Sequence, residues 1–122
     1  MSSHSSFSKF LMLTKFTFGT IRIRVVTVEN DPWFVLADVC NVLGLVPNGR
    51  NRSYQDHTRK LAADERSTIT LSEGKRGSPS KTVVSESGLF KLIIRSNKPE
   101  ARVFQDWVTR EVLPAIRRLS AP

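Results

Sequence analysis

Four basic side chains, Arg50, Arg52, Arg59 and Lys60, fall between Pro47 and Lys60 with one acid, Asp56, and one large apolar residue, Tyr54. This is the chemistry of polyanion binding. A guanidinium fork meets phosphate oxygens or the N7 and O6 edge of guanine, and an ammonium group neutralises phosphate as a point charge. A second basic run, Gly74 to Lys81, adds Lys75, Arg76 and Lys81, and a third, Val112 to Pro122, adds Arg117 and Arg118. The runs net +3, +3 and +2, the whole formal charge of +8, so the excess is focal and the rest of the chain is neutral. Each run alone has an ordinary explanation as solvated surface. Together they favour an anionic partner: nucleic acid, an acidic protein or an anionic membrane surface.

Other residues that could do chemistry are weaker candidates. The two histidines, His4 and His57, are far apart, so no metal-ligand spacing exists, and a nucleophilic triad has only His57 as base, in a polar segment. No catalytic residue, metal or cofactor is expected. "GKRGSPSK" holds a Gly-Lys pair without the spacing of a phosphate-cradling loop. The adjacent Asp64 and Glu65 form either a solvated turn or an acid/base pair, and Cys40 is either a core residue or a reactive thiol. Phe104 and Trp107 have helical spacing and suit the core better than a base-stacking platform, whereas Trp33 adjoins a turn and suits a half-exposed position. With one cysteine no intramolecular disulfide forms, and a reducing, cytoplasmic setting fits best. No apolar run approaches the roughly 18 to 20 residues that span a bilayer, so no membrane partner is expected.

The elements that must position these residues follow from periodicity. At 122 residues and 39% hydrophobic content the chain suits a single core. "KFTFGTIRIRVVTVE" alternates about Gly19-Thr20 and predicts a hairpin, with Ile21, Ile23 and Val25 on one face and Arg22 and Arg24 on the other. After the turn "ENDP", "WFV" resumes a short strand. Leu36, Val39, Cys40 and Leu43 then mark one face of a helix that Gly44 ends. Asn48 is placed to cap a second helix through Arg50 to about Lys60, with Tyr54 and Leu61 inward. "ERSTITLSE" and "KTVVSE" predict a second hairpin with a basic tip. Ser85 or Ser87 caps a helix with Leu89, Leu92 and Ile93 inward. Pro99 opens the last helical stretch, whose stripe is Val103, Phe104, Trp107, Val108 and Val112 and which Pro114 should kink or restart near Leu113.

A helix, a glycine turn and a second helix form the order of a helix-turn-helix, in which the first residues of the second helix meet base edges. Arg50 and Arg52 would be those residues; Arg59, Lys60, Lys75, Arg76 and Lys81 would hold phosphates, with the hairpin tip as a wing.

The series "PWFVLADVCNVLGL", "LAADERSTITL" and "VVSESGLFKLIIRSNKPEARVFQDWVTREVLPAIRR" resembles the Bro-N domain, the amino-terminal module of baculovirus Bro proteins and of phage and prophage antirepressors. The likeness runs from about Phe16 to Arg118 and rests most on the order and spacing of its carboxy-terminal half. It implies a small α+β, DNA-associated domain, usually followed by a variable second domain, in regulators that relieve repression of viral or prophage genes. The stretch from Pro47 to Lys60 is longer and more polar than the family pattern. No second domain follows Pro122, which suits a truncated chain, a small standalone protein or a remnant.

The expected architecture is α+β: small antiparallel hairpins, a helix-turn-helix-like unit and a carboxy-terminal helical pair. Residues 1–14 form a flexible start, 15–119 the domain and 120–122 a tail. The expected partner is double-stranded DNA, read by a dimer if its site is two-fold, in a host bacterial cytoplasm for a phage-borne gene. The alternative is a module that binds and sequesters a repressor protein.

Overall fold

The computed structural model describes residues 11–47, 54–71 and 80–120. Five antiparallel strands form one sheet in the order β1-β2-β3-β5-β4, with β1 at Leu11–Phe18, β2 at Ile21–Val28, β3 at Asp31–Val35, β4 at Arg66–Thr70 and β5 at Ser80–Val84. The helices are α1 (Leu36–Leu43), α2 (Glu86–Arg95), α3 (Pro99–Trp107) and α4 (Leu113–Ser120), so the chain is α+β. The two expected hairpins exist, and pairing of Phe34 with Val84 and of Val35 with Val83 joins them into a single sheet. β1 begins at Leu11, upstream of the alternating stretch that starts at Lys15.

Ile23, Val25, Phe34 and Val84 enter one core with Val39 and Cys40 of α1, Leu89 and Leu92 of α2, and Phe104 of α3. Alternation on β2 stops after Val25, because Val26 and Thr27 are both buried, as suits an interior strand paired on both sides. Arg24 is not on an open face either. Its Nε and Nη2 donate to the Asp38 carboxylate at 2.9 and 3.0 Å, and its backbone N–H donates to the same group. Asp38 lies in the first turn of α1, which lacks a capping side chain, so one carboxylate complements the helix dipole and fastens α1 to β2.

Gly44 ends α1 with φ 71°, the left-handed value expected from its position. Cys40 is fully buried and burial pushes its thiol up to about 12, opposed in part by Arg95, so Cys40 is a core residue and not a nucleophile. Ser85 caps α2 by accepting from Gly88 N–H at 3.2 Å.

The carboxy-terminal stretch departs from a simple stripe. Val103 is 58% exposed, because the buried line runs instead through Ala101, Phe104, Val108 and Val112. Trp107 packs on Phe16, Phe18 and Phe104 with ring centroids 6.3, 5.1 and 5.8 Å away, which places these aromatics in the fold and not on a stacking platform. Ahead of Pro114 the helix widens into a π-turn over Val108–Val112, with Leu113 N–H reaching Val108 O, and α4 restarts at Leu113. The wider turn accommodates Pro114, which has no N–H to donate to the Arg110 carbonyl and whose ring would clash with it in a regular α-helix.

A junction at the start of β4 sets the position of everything that follows. The 3-10 turn Ala63–Glu65 leads into β4, and the Glu65 carboxylate accepts from Ala62 N–H and from Lys91 Nζ, both at 2.8 Å. Glu65 is 7% exposed, and these hydrogen bonds, Lys91 first, with help from Ser87, hold its carboxyl near a pKa of about 2. Glu65 O also accepts from Ser85 N–H at 3.0 Å. Asp64 and Glu65 therefore form a structural turn and not an acid/base pair. Gly88 is required by the close approach: a Cβ there would lie 2.7 Å from Glu65 O.

Two outcomes follow from this junction. Gly88→Ala, although alanine is the better helix former, should destabilise the fold by about 1–3 kcal/mol in urea unfolding, because the backbones must part. Because the Glu65 pKa is lower in the folded chain, its contribution is present above the ordinary carboxyl value and is lost as pH falls from about 4.5 toward about 2. Acid unfolding of Glu65→Gln, followed by circular dichroism, should lack that part of the pH dependence.

Candidate nucleic-acid interface

Among the described residues, the segment expected to be a second α-helix is a single 3-10 turn, Gln55–Thr58, followed by a turn to Leu61. Backbone bonds at its ends run from His57 N–H to Tyr54 O at 3.0 Å, from Arg59 N–H to Asp56 O at 3.4 Å and from Leu61 N–H to Thr58 O at 3.0 Å. Side chains from elsewhere add to these. Arg66 Nη1 donates to Thr58 O and Arg95 Nη1 donates to His57 O, each at 2.9 Å, so two guanidinium groups hold consecutive carbonyls at the end of the turn. Gln55 Nε2 donates to Thr82 Oγ1 at 2.6 Å, and His57 Nε2 lies 2.8 Å from Val46 O. A carbonyl only accepts, so Nε2 carries the proton, and the one histidine considered as a general base serves as a strut. Tyr54 packs against the core.

These clamps set the turn beside the β4-β5 hairpin. Two adjoining hollows of about 200 and 300 Å³ share Gln55 and Thr82; the first is also lined by Tyr54 and Lys81, the second by Arg66, Ser67 and Thr68. The result is a groove of mixed polarity between Tyr54–Gln55 and the β4-β5 hairpin, with Val35, Leu36 and Ala37 also in the wall of the first hollow.

The expected contact residues divide accordingly. Arg59 and Lys60 are exposed at the end of the turn, and Lys81 lines the groove. Arg59 Nη2 meets Asp56 Oδ1 at 3.0 Å with its side chain 78% exposed, a pair that a phosphate could displace at small cost. Lys60 and Lys81 have no acidic partner among the described residues. Arg50 and Arg52, in 48–53, and Lys75 and Arg76, in 72–79, lie outside the described residues. Of the third basic run, Arg117 and Arg118 are exposed on α4 and line neither hollow.

Sequence reasoning missed the clamps. Nothing local marks the partners of Arg66, Arg95 and Gln55, which lie 8, 38 and 27 residues away. Among the described residues, no group of three His, Cys, Asp or Glu is placed to hold a metal ion, and no helix is long and apolar enough to cross a membrane.

Comparison with known proteins matches residues 22–114 to the family model described as the BRO family, N-terminal domain. An uncharacterised protein of Haemophilus influenzae is 37% identical over 109 residues, covering 88% of this chain and 51% of that protein. A putative Bro-N domain-containing protein, 019R, of Invertebrate iridescent virus 3 is 30% identical over 117 residues, covering 79% of this chain and 28% of its own length. Protein 201R of Invertebrate iridescent virus 6, with the same description, is 28% identical over 116 residues, 80% of this chain and 26% of its length. The chain thus spans about half or less of these relatives. No solved structure matches.

The clamps are testable apart from any ligand. Arg66→Ala should lower stability by only about 1 kcal/mol yet raise amide exchange at His57, Arg59 and Leu61 well above that at Leu89 or Leu92 in α2. Equal acceleration in turn and core would mean that Arg66 supports the fold as a whole.

Proposed function

The chain belongs to the BRO family through its N-terminal domain, a regulatory domain family, and on that premise we propose that it binds double-stranded DNA as the Bro-N domain of a phage or prophage antirepressor. The observation that carries the reading is that Lys81 lines the groove and Arg59 and Lys60 are exposed at the end of the turn, with Lys60 and Lys81 lacking an acidic partner among the described residues and the neighbouring arginines, Arg66 and Arg95, spent on backbone carbonyls. Phosphate neutralisation by Arg59, Lys60 and Lys81, with Lys75 and Arg76 from the hairpin tip, sets register and supplies most of the affinity. Arg50 and Arg52, next to Tyr54, are the candidates for base edges. A single 3-10 turn does not reach into a major groove as a recognition helix does, so base contact falls to the chain leading into that turn and to the wing. No catalytic step is invoked.

A second reading, binding and sequestration of a repressor protein without DNA contact, draws on the same family membership. The two part in solution. With labelled random duplex, fluorescence anisotropy should show binding that weakens with a log-log salt slope of roughly −4 to −6, as for about five or six neutralised phosphates. Lys60→Ala/Lys81→Ala should reduce the magnitude of that slope by about 2 while leaving the fold intact, since Lys60 is exposed, Lys81 is only half-buried, and substitutions away from the core usually cost under about 0.5 kcal/mol. Absence of binding even at low salt would decide for the repressor-binding reading.

A further inference from the structure

Asp31 at the start of β3, Asp64 in the 3-10 turn and Glu86 in the first turn of α2 converge on an open cleft of about 470 Å³ whose apolar walls are Pro32, Trp33 and Phe90. None of the three carboxylates has a basic partner among the described residues, in a chain whose formal charge is +8. Lys91, next to Phe90, is held by Glu65, and Arg66, two residues from Asp64, by Thr58 O. Glu86 has a local reason to be acidic, at the positive end of α2. That reason does not account for two half-buried aromatic rings left at a cavity between three acids.

We propose that this cleft receives an arginine-bearing segment of a partner protein. A guanidinium stacks flat on an aromatic ring and donates in pairs to carboxylates, so Trp33 and Phe90 fit its plane while Asp31, Asp64 and Glu86 fit its donors. Charge complementarity selects the partner: the cleft repels DNA and attracts a basic peptide. The volume falls within the range of about 300–1,000 Å³ typical of ligand sites and exceeds what one side chain fills, leaving room for the flanking peptide. Ala63 lines the basic groove and Asp64 the acidic cleft, so one three-residue turn separates a DNA surface from a protein surface. The inference does not rest on the DNA reading.

The test is a titration of the whole chain with the peptide Gly-Ser-Arg-Gly-Arg-Ser-Gly, against the same peptide with Gln for Arg, followed through the Trp33 indole N–H resonance and assigned with Trp33→Phe. A saturable shift is expected, with the Gln peptide and the Asp64→Asn/Glu86→Gln chain each binding at least about ten-fold more weakly, which is about 1.4 kcal/mol. Asp106→Asn, an exposed acid on α3, should stay within about two-fold, while Asp31→Asn provides a second cleft variant should the double substitution unfold. Equal weakening by Asp106→Asn, indifference to loss of arginine, or no saturation by about 10 mM would overturn the proposal. So would a Trp33 shift that depends on protein concentration without peptide, since the occupant would then be a second copy.

Discussion

A carboxylate taken out of water must be satisfied by donors, and the architecture around the candidate sites depends on how Glu65 meets that demand. Its partners come from its own turn, through Ala62 N–H, and from α2, through Lys91 and Ser87. With Gly88 giving way to the Glu65 carbonyl, the start of β4 is seated on the first turn of α2. The two concave surfaces flank that seat. On one side Arg66, the first residue of β4, reaches the turn at Thr58 and closes the basic groove; on the other, Asp64 and Glu86 rim the acidic cleft.

The chain uses identical chemistry for opposite ends. Arg24, Arg66, Arg95 and Lys91 are committed to internal acceptors, two of them carboxylates and two of them carbonyls. Lys60 and Lys81 have no acidic partner among the described residues, and Arg59 has only the exposed Asp56. Counting charges would rank all seven alike. Geometry separates the cations bound to internal acceptors from those that are not, so what each group touches matters more than the charge of its segment.

Much of the fold was legible because its signals are local. The Gly19 hairpin, the stop at Gly44, the Ser85 cap, Pro99 in the first turn of α3 and the restart at Leu113 are each set by a few adjacent residues. What was not legible depends on distant partners. The pairing of β3 with β5 joins strands from different hairpins, Arg24 is drawn in by Asp38, and the end of the segment before Leu61 is held by Arg66 and Arg95 where Asn48 as a cap, with Tyr54 and Leu61 inward, suggested an α-helix. The cleft was invisible for the same reason, since Asp31, Asp64 and Glu86 share no motif and meet only when the sheet and α2 have formed.

The central claim, that the groove beside the 3-10 turn is where this Bro-N domain meets DNA, is tested most directly by mapping backbone amide shifts of the isotope-labelled chain on addition of duplex DNA. The account predicts shifts concentrated at Tyr54 to Lys60 and Ser80 to Thr82, on both walls of the groove, with Arg117 and Arg118 little affected. Shifts centred on α4 or on the β1 edge, with the groove unmoved, would contradict it.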